Sequence, residues 1–242
     1  MWGIIPAAGM GSRIQPLAFS KELLPVGSFA SNGGERPRAV SEYLIERMVR
    51  AGVTKICFVI SPGKSDIMNY FGGNVLSATA FYAVQPHPAG LCDAIFRALP
   101  LIPPGDEVCI GLPDTIWFPE HALSQLPDGV LSLLLFPVDH PENFDAVVTN
   151  ERGDVSEVQV KNPEAKTEWV WGALKMPGAV LAELHEIWRQ RNDEYLGTLI
   201  NEYLARGGSA RGLKIGEAYV DVGTLNGYRE ALRLLDATGS RR

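Results

Sequence analysis

A glycine-rich loop follows the first apolar segment of the chain. Trp2 to Pro6 reads as a buried β-strand, and it runs directly into residues 7–13, Ala-Ala-Gly-Met-Gly-Ser-Arg. Glycines placed immediately after a strand let backbone N–H groups approach phosphate oxygens, because no Cβ stands in the way. The loop therefore predicts a phosphate-binding site, with Arg13 as a nearby cation. Its candidate binding residues are Ala8, Gly9, Gly11 and Ser12.

The sequence lacks several familiar catalytic patterns. A dinucleotide fingerprint, G-x-G-x-x-G, would require glycine at Ile14, which leaves a nicotinamide dehydrogenase as a remote alternative, and no G-K-S/T follows to make a Walker A loop. The four histidines form no H-x-x-x-H pair, and no G-x-S-x-G elbow is present. A histidine-based metal site and a serine hydrolase are therefore disfavoured. Cys57, Cys92 and Cys109 lie in apolar stretches, which favours buried thiols over disulfides.

Short apolar runs alternate with helix-period segments in the first half of the chain. This alternation predicts strands joined by crossover helices, hence an α/β fold with a mostly parallel central sheet between layers of helices. The predicted strands are Trp2 to Pro6, Lys55 to Ile60, Thr79 to Val84 and Glu107 to Leu112. The predicted helices, with apolar residues at helical spacing, are Ala39 to Ala51 and Leu91 to Leu99.

After Asp114 the pattern changes to strand-like runs with short polar breaks. These runs predict a smaller mixed or antiparallel insertion, after which helices resume near Ala179. We treat residues 1–242 as one domain with two halves, about 1–115 and about 116–238. Gly27 to Glu35 is rich in Gly, Ser and Asn and predicts a surface loop that could act as a mobile flap. The strand-like runs are Leu131 to Val138, Ala146 to Thr149, Val155 to Val160 and Trp169 to Lys175.

The composition fits one globular domain and excludes several classes of protein. The chain is 46% hydrophobic and 21% charged, which permits a substantial core and excludes a disordered chain, a collagen or a coiled coil. Its 22 basic and 28 acidic residues give a net charge of −6, which argues against nucleic acid or a membrane surface as the main partner. The N-terminus shows no signal-peptide pattern and no apolar run reaches ~18 residues, so we expect a cytoplasmic protein.

The glycine-rich loop is the first of several motifs that resemble those of one enzyme family in residue pattern and in order along the chain. The segment from Pro6 to Val26 is similar to the signature G-x-G-[S/T]-R-x-x-P, followed by K-x-x-L-P, of the sugar-1-phosphate nucleotidylyltransferases, which include glucose-1-phosphate thymidylyltransferases and uridylyltransferases. The resemblance spans Gly3 to Asp236 and implies the family's Rossmann-like fold, that of the nucleotide-diphospho-sugar transferases. The later matches are Gln85 to Leu91 (Q-P-x-P-x-G-L), Leu112 to Asp114 (L-x-D), Lys161 with Pro163 (E-K-P) and Asp221 to Thr224 (D-x-G-T).

The resemblance implies a magnesium-dependent reaction between a nucleoside triphosphate and a sugar-1-phosphate. The sugar-phosphate oxygen attacks the α-phosphorus and pyrophosphate leaves, so catalysis rests on positioning and charge neutralisation. Asp114 and Asp221 would together hold one Mg²⁺. Arg13 would bind the β- and γ-phosphates, and Lys21 would place a charge near the α-phosphate. Lys161 would meet the sugar phosphate.

The same resemblance implies that the first half binds the nucleotide and the second half the acceptor. Gln85 carries an acceptor and donors that match the edge of uracil or thymine, and the Gly90 backbone would lie against the base. We therefore expect dTTP or UTP as the donor, without a residue that separates the two. Whether the protein forms a homo-oligomer stays open.

Three positions on the expected sugar wall depart from the family pattern. Val160 stands where a glutamate contacts sugar hydroxyls, and valine cannot accept a hydrogen bond. Asp145 replaces a glycine, and Trp171 replaces a threonine before the glycine matched by Gly172. We therefore expect an acceptor other than ordinary glucose-1-phosphate. Arg191, in an Arg-x-x-Glu-Tyr-Leu stretch, is either a further acceptor contact or a helix-surface residue.

Two other functions stay open at this point. The altered wall is compatible with a non-catalytic module that binds a sugar nucleotide. The same fold also supports transfer to a non-sugar phosphate such as phosphocholine, since fold alone does not specify the acceptor.

Overall fold

The computed structural model describes residues 1–31, 34–191, 193 and 195–237. In chain order the strands are β1 (Trp2–Pro6), β2 (Pro25–Ser31), β3 (Gly34–Ala39), β4 (Lys55–Ile60), β5 (Asn74–Val75), β6 (Ala78–Val84), β7 (Glu107–Gly111), β8 (Thr115–Phe118), β9 (Leu131–Pro137), β10 (Asp145–Thr149), β11 (Val155–Val160), β12 (Trp169–Pro177), β13 (Ala210–Leu213) and β14 (Ala218–Asp221). The helices are α1 (Val40–Arg50), α2 (Ser65–Phe71), α3 (Gly90–Phe96), α4 (Gly178–Arg191), α5 (Leu196–Ala205) and α6 (Leu225–Ala237).

One large sheet of ten strands runs through the described chain. Its main order is β11-β10-β12-β7-β1-β4-β6-β5, and β9 and β13 join it beside β12. The central strands β7, β1, β4 and β6 are parallel. Strand β12 pairs antiparallel with β7, so the strands of the second half extend the same sheet. The predicted α/β class is confirmed.

Helices cover both faces of this sheet because its central strands are apolar on both sides. On β1, Ile4 faces a core built with α3, α4 and α5, whereas Ile5 faces a core built with α1 and α2. Both isoleucines are fully buried. Continuous apolar runs of this kind are typical of parallel strands covered on both faces. The result is the three-layer arrangement that the alternating pattern predicted.

The segment Gly27 to Glu35 is not the surface loop that its composition predicts. Its described part belongs to the antiparallel pair β2 and β3, while its tip, residues 32 and 33, lies outside the described residues. The Tyr43 hydroxyl donates to the Val26 carbonyl at 2.8 Å and holds β2 against α1. Backbone pairing and this anchor override the loop-forming composition, so the loop prediction was wrong.

Three short elements that position side chains of the cleft were not predicted. They are helix α2 and the strands β8 and β14, which form a separate antiparallel pair. Each has seven residues or fewer, too short to show a clear hydrophobic period. Among the helices described, none is long and apolar enough to cross a membrane.

Candidate active site

A cleft opens where the parallel strands β1, β6 and β7 end. Its main chamber has a volume of about 560 Å³ and is lined by Pro6 at the end of β1, Gln85 after β6 and Leu112 after β7. The carboxyl ends of parallel strands are the usual place for a ligand in an open α/β sheet. Of the predicted site residues, those that line this chamber are Ala8, Gly9, Arg13, Lys21, Gln85, Gly90, Asp114, Lys161 and Asp221.

Gly11 shapes the glycine-rich loop from just outside the chamber. Its φ angle of +65° lies in the left-handed region that favours glycine. A Cβ built at this position would lie 2.6 Å from Cδ of Lys21, so the missing side chain also leaves room for that lysine. Ser12 is exposed and does not line the chamber. Gly11 therefore affects the chamber indirectly, because it leaves room for the side chain of Lys21.

Lys21 is held in place from both of its chain neighbours. The preceding residue, Ser20, donates to Asp66 of α2 twice, from its backbone N–H at 2.7 Å and from its hydroxyl at 2.6 Å. The following residue, Glu22, is 1% exposed and accepts from Nζ of Lys64 at 2.8 Å through both carboxylate oxygens. Lys64 and Asp66 were missed in the sequence because α2 itself was missed.

The small ladder of β8 and β14 brings the two candidate metal ligands together. Asp114 precedes β8 and Asp221 ends β14, where it lies opposite Thr115. A Cβ built on Gly223 would lie 2.8 Å from Oδ1 of Asp221, 3.1 Å from Oδ2 of Asp114 and 3.1 Å from Nη2 of Arg13. Both carboxylates and the guanidinium therefore surround one point, and glycine leaves that point open.

Each of these carboxylates is paired with a cation. Nζ of Lys21 donates to Oδ2 of Asp114, and Nη1 of Arg13 lies 3.0 Å from Oδ2 of Asp221. Burial alone would lower the pKa of Lys21, but the charge and hydrogen bond of Asp114, helped by the charges of Glu22 and Asp221, raise this pKa above its usual value. Lys21 is therefore a fully charged cation at neutral pH.

The two carboxylates fit one Mg²⁺ that completes its shell with substrate oxygens. Mg²⁺ is usually bound through one or two carboxylates together with phosphates and water. Within the described residues, no group of three or more His, Cys, Asp or Glu side chains could hold a metal ion. Two carboxylates alone would leave the other coordination positions to phosphate and water. A metal that relies on phosphate oxygens in this way would bind together with a nucleotide.

Gln85 enters the main chamber with one of its two amide ends already occupied. Its side chain is 4% exposed. Nε2 donates to the carbonyl of Gly90 at 3.0 Å and to Oδ2 of Asp93 at 2.8 Å. The amide oxygen has no donor among the described residues. Gln85 therefore offers the chamber a hydrogen-bond acceptor.

A side chamber of about 320 Å³ opens from the main one. Lys161 lines both chambers, and its Nζ lies 4.9 Å from the centre of the Tyr195 ring. The walls of the side chamber are largely aromatic and aliphatic. Besides backbone groups, the described polar groups that it offers a ligand are Asp145, Asn143, the lysine and the tyrosine hydroxyls. Its aromatic residues are Phe144, Trp171, Tyr195 and Tyr219.

Asp145 is a carboxylate with few partners in this apolar chamber. Nε1 of Trp171 approaches its Oδ2 at 3.4 Å, a long hydrogen bond. Burial raises the pKa of Asp145, although the Trp171 hydrogen bond and the charge of Lys161 oppose this shift. A ligand that donates hydrogen bonds to this carboxylate would therefore offset part of the free-energy cost of removing it from water.

Three predicted acceptor contacts do not line either chamber. Val160 packs towards Gly197 of α5. Gly172 lies beneath the rings of Phe136 and Tyr219, which a Cβ would approach within 2.7 Å, so this glycine serves packing. Arg191 pairs with Glu202 on the next helix at 3.1 Å, and it is the helix-surface arginine that the sequence allowed. The structure does not bring these three residues to the cleft.

Four residues that line the side chamber were not proposed from the sequence. Asn143 and Phe144 belong to the segment that carries Asp145, while Tyr195 and Tyr219 come from distant parts of the chain. Burial raises the pKa of Tyr219, so it stays a neutral hydroxyl. An aromatic residue has the same sequence signature in a core as in a pocket wall, so only the tertiary structure identifies Phe144, Tyr195 and Tyr219.

The fold and the paired charges define an α/β protein with two connected chambers. The nucleotidyl transferase family model matches residues 2–238, and the chain belongs to that family. Curated relatives of the chain are named glucose-1-phosphate thymidylyltransferases, in agreement with the family that the motifs predicted.

Individual relatives agree with this assignment. The chain is 27% identical, over 96% of its length and 81% of the relative, to the glucose-1-phosphate thymidylyltransferase of Neisseria meningitidis serogroup A / serotype 4A. It is 25% identical to the glucose-1-phosphate thymidylyltransferase of Mycolicibacterium smegmatis, again over 96% of this chain and 81% of the relative. The UTP-bound UGPase from Acinetobacter baumannii has the same fold, with a TM-score of 0.79 and 21% identity over 97% of this chain and 93% of that one.

Proposed function

We propose that this chain transfers a nucleotidyl group from dTTP or UTP to a sugar-1-phosphate, in a Mg²⁺-dependent reaction that releases pyrophosphate. The observation that carries the proposal is the meeting of two cations and two carboxylates at one point of the main chamber, beside an amide that can read a base. The four charged residues are Arg13, Lys21, Asp114 and Asp221. We assign the nucleotide to the main chamber and the acceptor to the side chamber.

The chemistry consists of one displacement at phosphorus. An oxygen of the acceptor phosphate forms a bond to the α-phosphorus while the bond to the pyrophosphate oxygen breaks, with no covalent intermediate. Lys21 and Arg13 stabilise the negative charge on the phosphoryl group and on the leaving pyrophosphate. Mg²⁺ on Asp114 and Asp221 would supply further charge neutralisation when bound. Lys161, which lines both chambers, is suited to orient the acceptor phosphate at their junction.

The reaction requires an exchange of partners at the phosphate end. In the structure the two cations neutralise the two carboxylates. With metal and nucleotide bound, Asp114 and Asp221 would hold the metal while Arg13 and Lys21 would contact phosphate oxygens, so that every charge would stay paired. This exchange predicts that metal and nucleotide bind cooperatively. The nucleotide would draw the cations away from the carboxylates that the metal needs, and the metal would release the cations for the phosphates.

Pyrophosphate release tests the proposal. Protein with Mg²⁺ is incubated with UTP, dTTP, CTP, GTP or ATP, each paired with glucose-, galactose-, mannose- or N-acetylglucosamine-1-phosphate. We expect release with UTP or dTTP and one of the sugar phosphates. Folded protein that binds a nucleoside-diphosphate sugar in calorimetry, but releases no pyrophosphate from any pair, would instead support a non-catalytic binding module.

A second candidate acceptor is a phosphate that carries an alkylammonium group, such as phosphocholine. The aromatic walls of the side chamber and the buried carboxylate of Asp145 favour it, because such groups attract a cation. Phosphocholine with each triphosphate is added to the same experiment. Faster release with phosphocholine than with every sugar phosphate would replace the sugar in the proposal.

A further inference from the structure

Gln85 is part of a buried polar chain that begins on helix α3. Asp93, 5% exposed, accepts from Nε2 of Gln85 through Oδ2. The same carboxylate accepts from Arg97 through both oxygens, at 3.2 Å from Nε and at 2.8 Å from Nη2. The chain therefore runs from a half-exposed guanidinium, through a buried carboxylate, to the amide in the main chamber.

The partners of Gln85 determine which way round its amide lies. Both groups that Nε2 contacts, the Gly90 carbonyl and the Asp93 carboxylate, are acceptors without a proton to donate. A rotated amide would place its oxygen against two acceptors and leave both without a donor, which is unfavourable in a buried site. The amide oxygen is thus the end that remains for a ligand.

We propose that Asp93 is a positioning residue that fixes Gln85 as an acceptor and thereby makes the site select a pyrimidine with a ring N–H. Uracil and thymine carry a donor at N3, whereas cytosine carries an acceptor there, so a fixed amide oxygen attracts the first two and repels the third. This inference rests on the proposed placement of the base at Gln85. The selection acts through Gln85, since Asp93 itself does not line the chamber.

The burial of Asp93 separates it from an ordinary ion pair on a helix surface. Glu46 and Arg50 on α1 form a pair with the same spacing, but their side chains are 25% and 49% exposed and no amide of the cleft depends on them. The Asp93 side chain is 7% exposed and contacts both Arg97 and Gln85. The two hydrogen bonds from Arg97 orient the carboxylate, which holds its Oδ2 towards the amide.

The test compares the dissociation constants of UTP, dTTP and CTP in the presence of Mg²⁺, measured by calorimetry on the whole chain. The variants are Asp93→Ala and Asp93→Asn, with Arg50→Gln on α1 as the matched control. In Asp93→Ala only the Gly90 carbonyl still opposes rotation of the amide, so the amide can more readily turn and donate to N3 of cytosine. We expect the preference for UTP or dTTP over CTP to fall about tenfold, the equivalent of ~1.4 kcal/mol, with CTP binding more tightly than to the wild type.

Asp93→Asn keeps the volume of the side chain and covers the case in which the alanine variant does not fold. Asparagine can still accept from Gln85, but only by turning its own amide N–H groups towards Arg97. We therefore expect a smaller loss of preference than with alanine. The Arg50→Gln control is expected to keep the wild-type preference.

The possible outcomes distinguish this inference from the proposed function. A wild-type protein that binds no nucleoside triphosphate overturns the proposed function and the inference together. A wild type that prefers CTP overturns the inference. Unchanged preference in both folded Asp93 variants, or an equal loss of affinity for all three nucleotides, overturns the inference alone, because a purely structural role would weaken every nucleotide alike.

Discussion

The two ends of the cleft are built in opposite ways. At the phosphate end Arg13 and Lys21 each pair with a carboxylate, and hydrogen bonds fix the chain neighbours of Lys21. At the acceptor end four aromatic residues line the side chamber together with Asp145, which accepts a long hydrogen bond from the indole of Trp171. The triphosphate is the same in every nucleotide, whereas acceptors differ in shape and polarity. Charge pairing therefore suits the common part of the reaction, and a shaped apolar wall suits the variable part.

The ion pair beneath the phosphate end should make the largest contribution to stability. Lys64→Met leaves Glu22 buried without a cation, which typically costs about 3–5 kcal/mol. Unfolding in urea measures this loss. Burial already raises the pKa of Glu22, so the variant should regain stability under acidic conditions, where the carboxyl binds a proton more readily in the folded state than in the unfolded one. Lys166→Met, which breaks an exposed pair with Glu157, should cost less than about 1 kcal/mol.

Removing a carboxylate at the phosphate end should nearly abolish turnover. Asp114→Asn and Asp221→Asn each remove a negative charge that the proposed metal needs, and we expect kcat to fall at least ~10²-fold. Initial rates of pyrophosphate release at saturating Mg²⁺ measure the effect. Asp154→Asn, which changes an exposed ion pair with Arg211, is the control and should keep the wild-type rate. Wild-type turnover in both cleft variants would refute the metal assignment.

A change at the acceptor end should alter the acceptor and leave the nucleotide unaffected. Asp145→Asn removes the charge but keeps the size, and we expect the KM for the acceptor to rise about tenfold, the effect of one charge-assisted hydrogen bond. The KM for the nucleotide should stay within about twofold, because the residue faces the side chamber. The control is Glu142→Gln, an exposed residue of the same segment. Equal changes in both KM values would mean that the two ends are not separable.

The smallest expected effect is a gain in metal affinity, whereas the other predicted effects are losses of stability, turnover or acceptor affinity. Lys21→Met removes the cation that competes for Asp114, so the nucleotide-free protein should bind Mg²⁺ about fivefold more tightly, while turnover falls. Calorimetry with Mg²⁺ alone measures this affinity. The double variant with Asp114→Asn should lose the gain. Unchanged or weaker metal binding in Lys21→Met would show that the ion pair does not restrain the carboxylate.

The sequence was more informative about the central fold and the phosphate end than about the acceptor end. Strands β1, β4 and β11 have the predicted bounds, because a continuous or alternating apolar pattern identifies a strand locally. Arg13, Lys21 and Asp114 were found from motifs and line the main chamber. At the acceptor end, Val160 and Gly172 occupy positions that correspond to sugar contacts of the family, yet both residues serve packing. Motif order identifies a position in the chain but not the direction of its side chain.

The sequence by itself determined the class of fold, the family and the two cation–carboxylate pairs of the phosphate end, because these depend on local patterns and on residue types. The tertiary structure alone decided which groups meet. The ladder of β8 and β14 places Asp221 beside Asp114, the residue before α2 brings its ammonium to Glu22, and Asp93 accepts a hydrogen bond from Gln85. These pairings form only when separate elements pack against one another, and no local periodicity encodes such contacts.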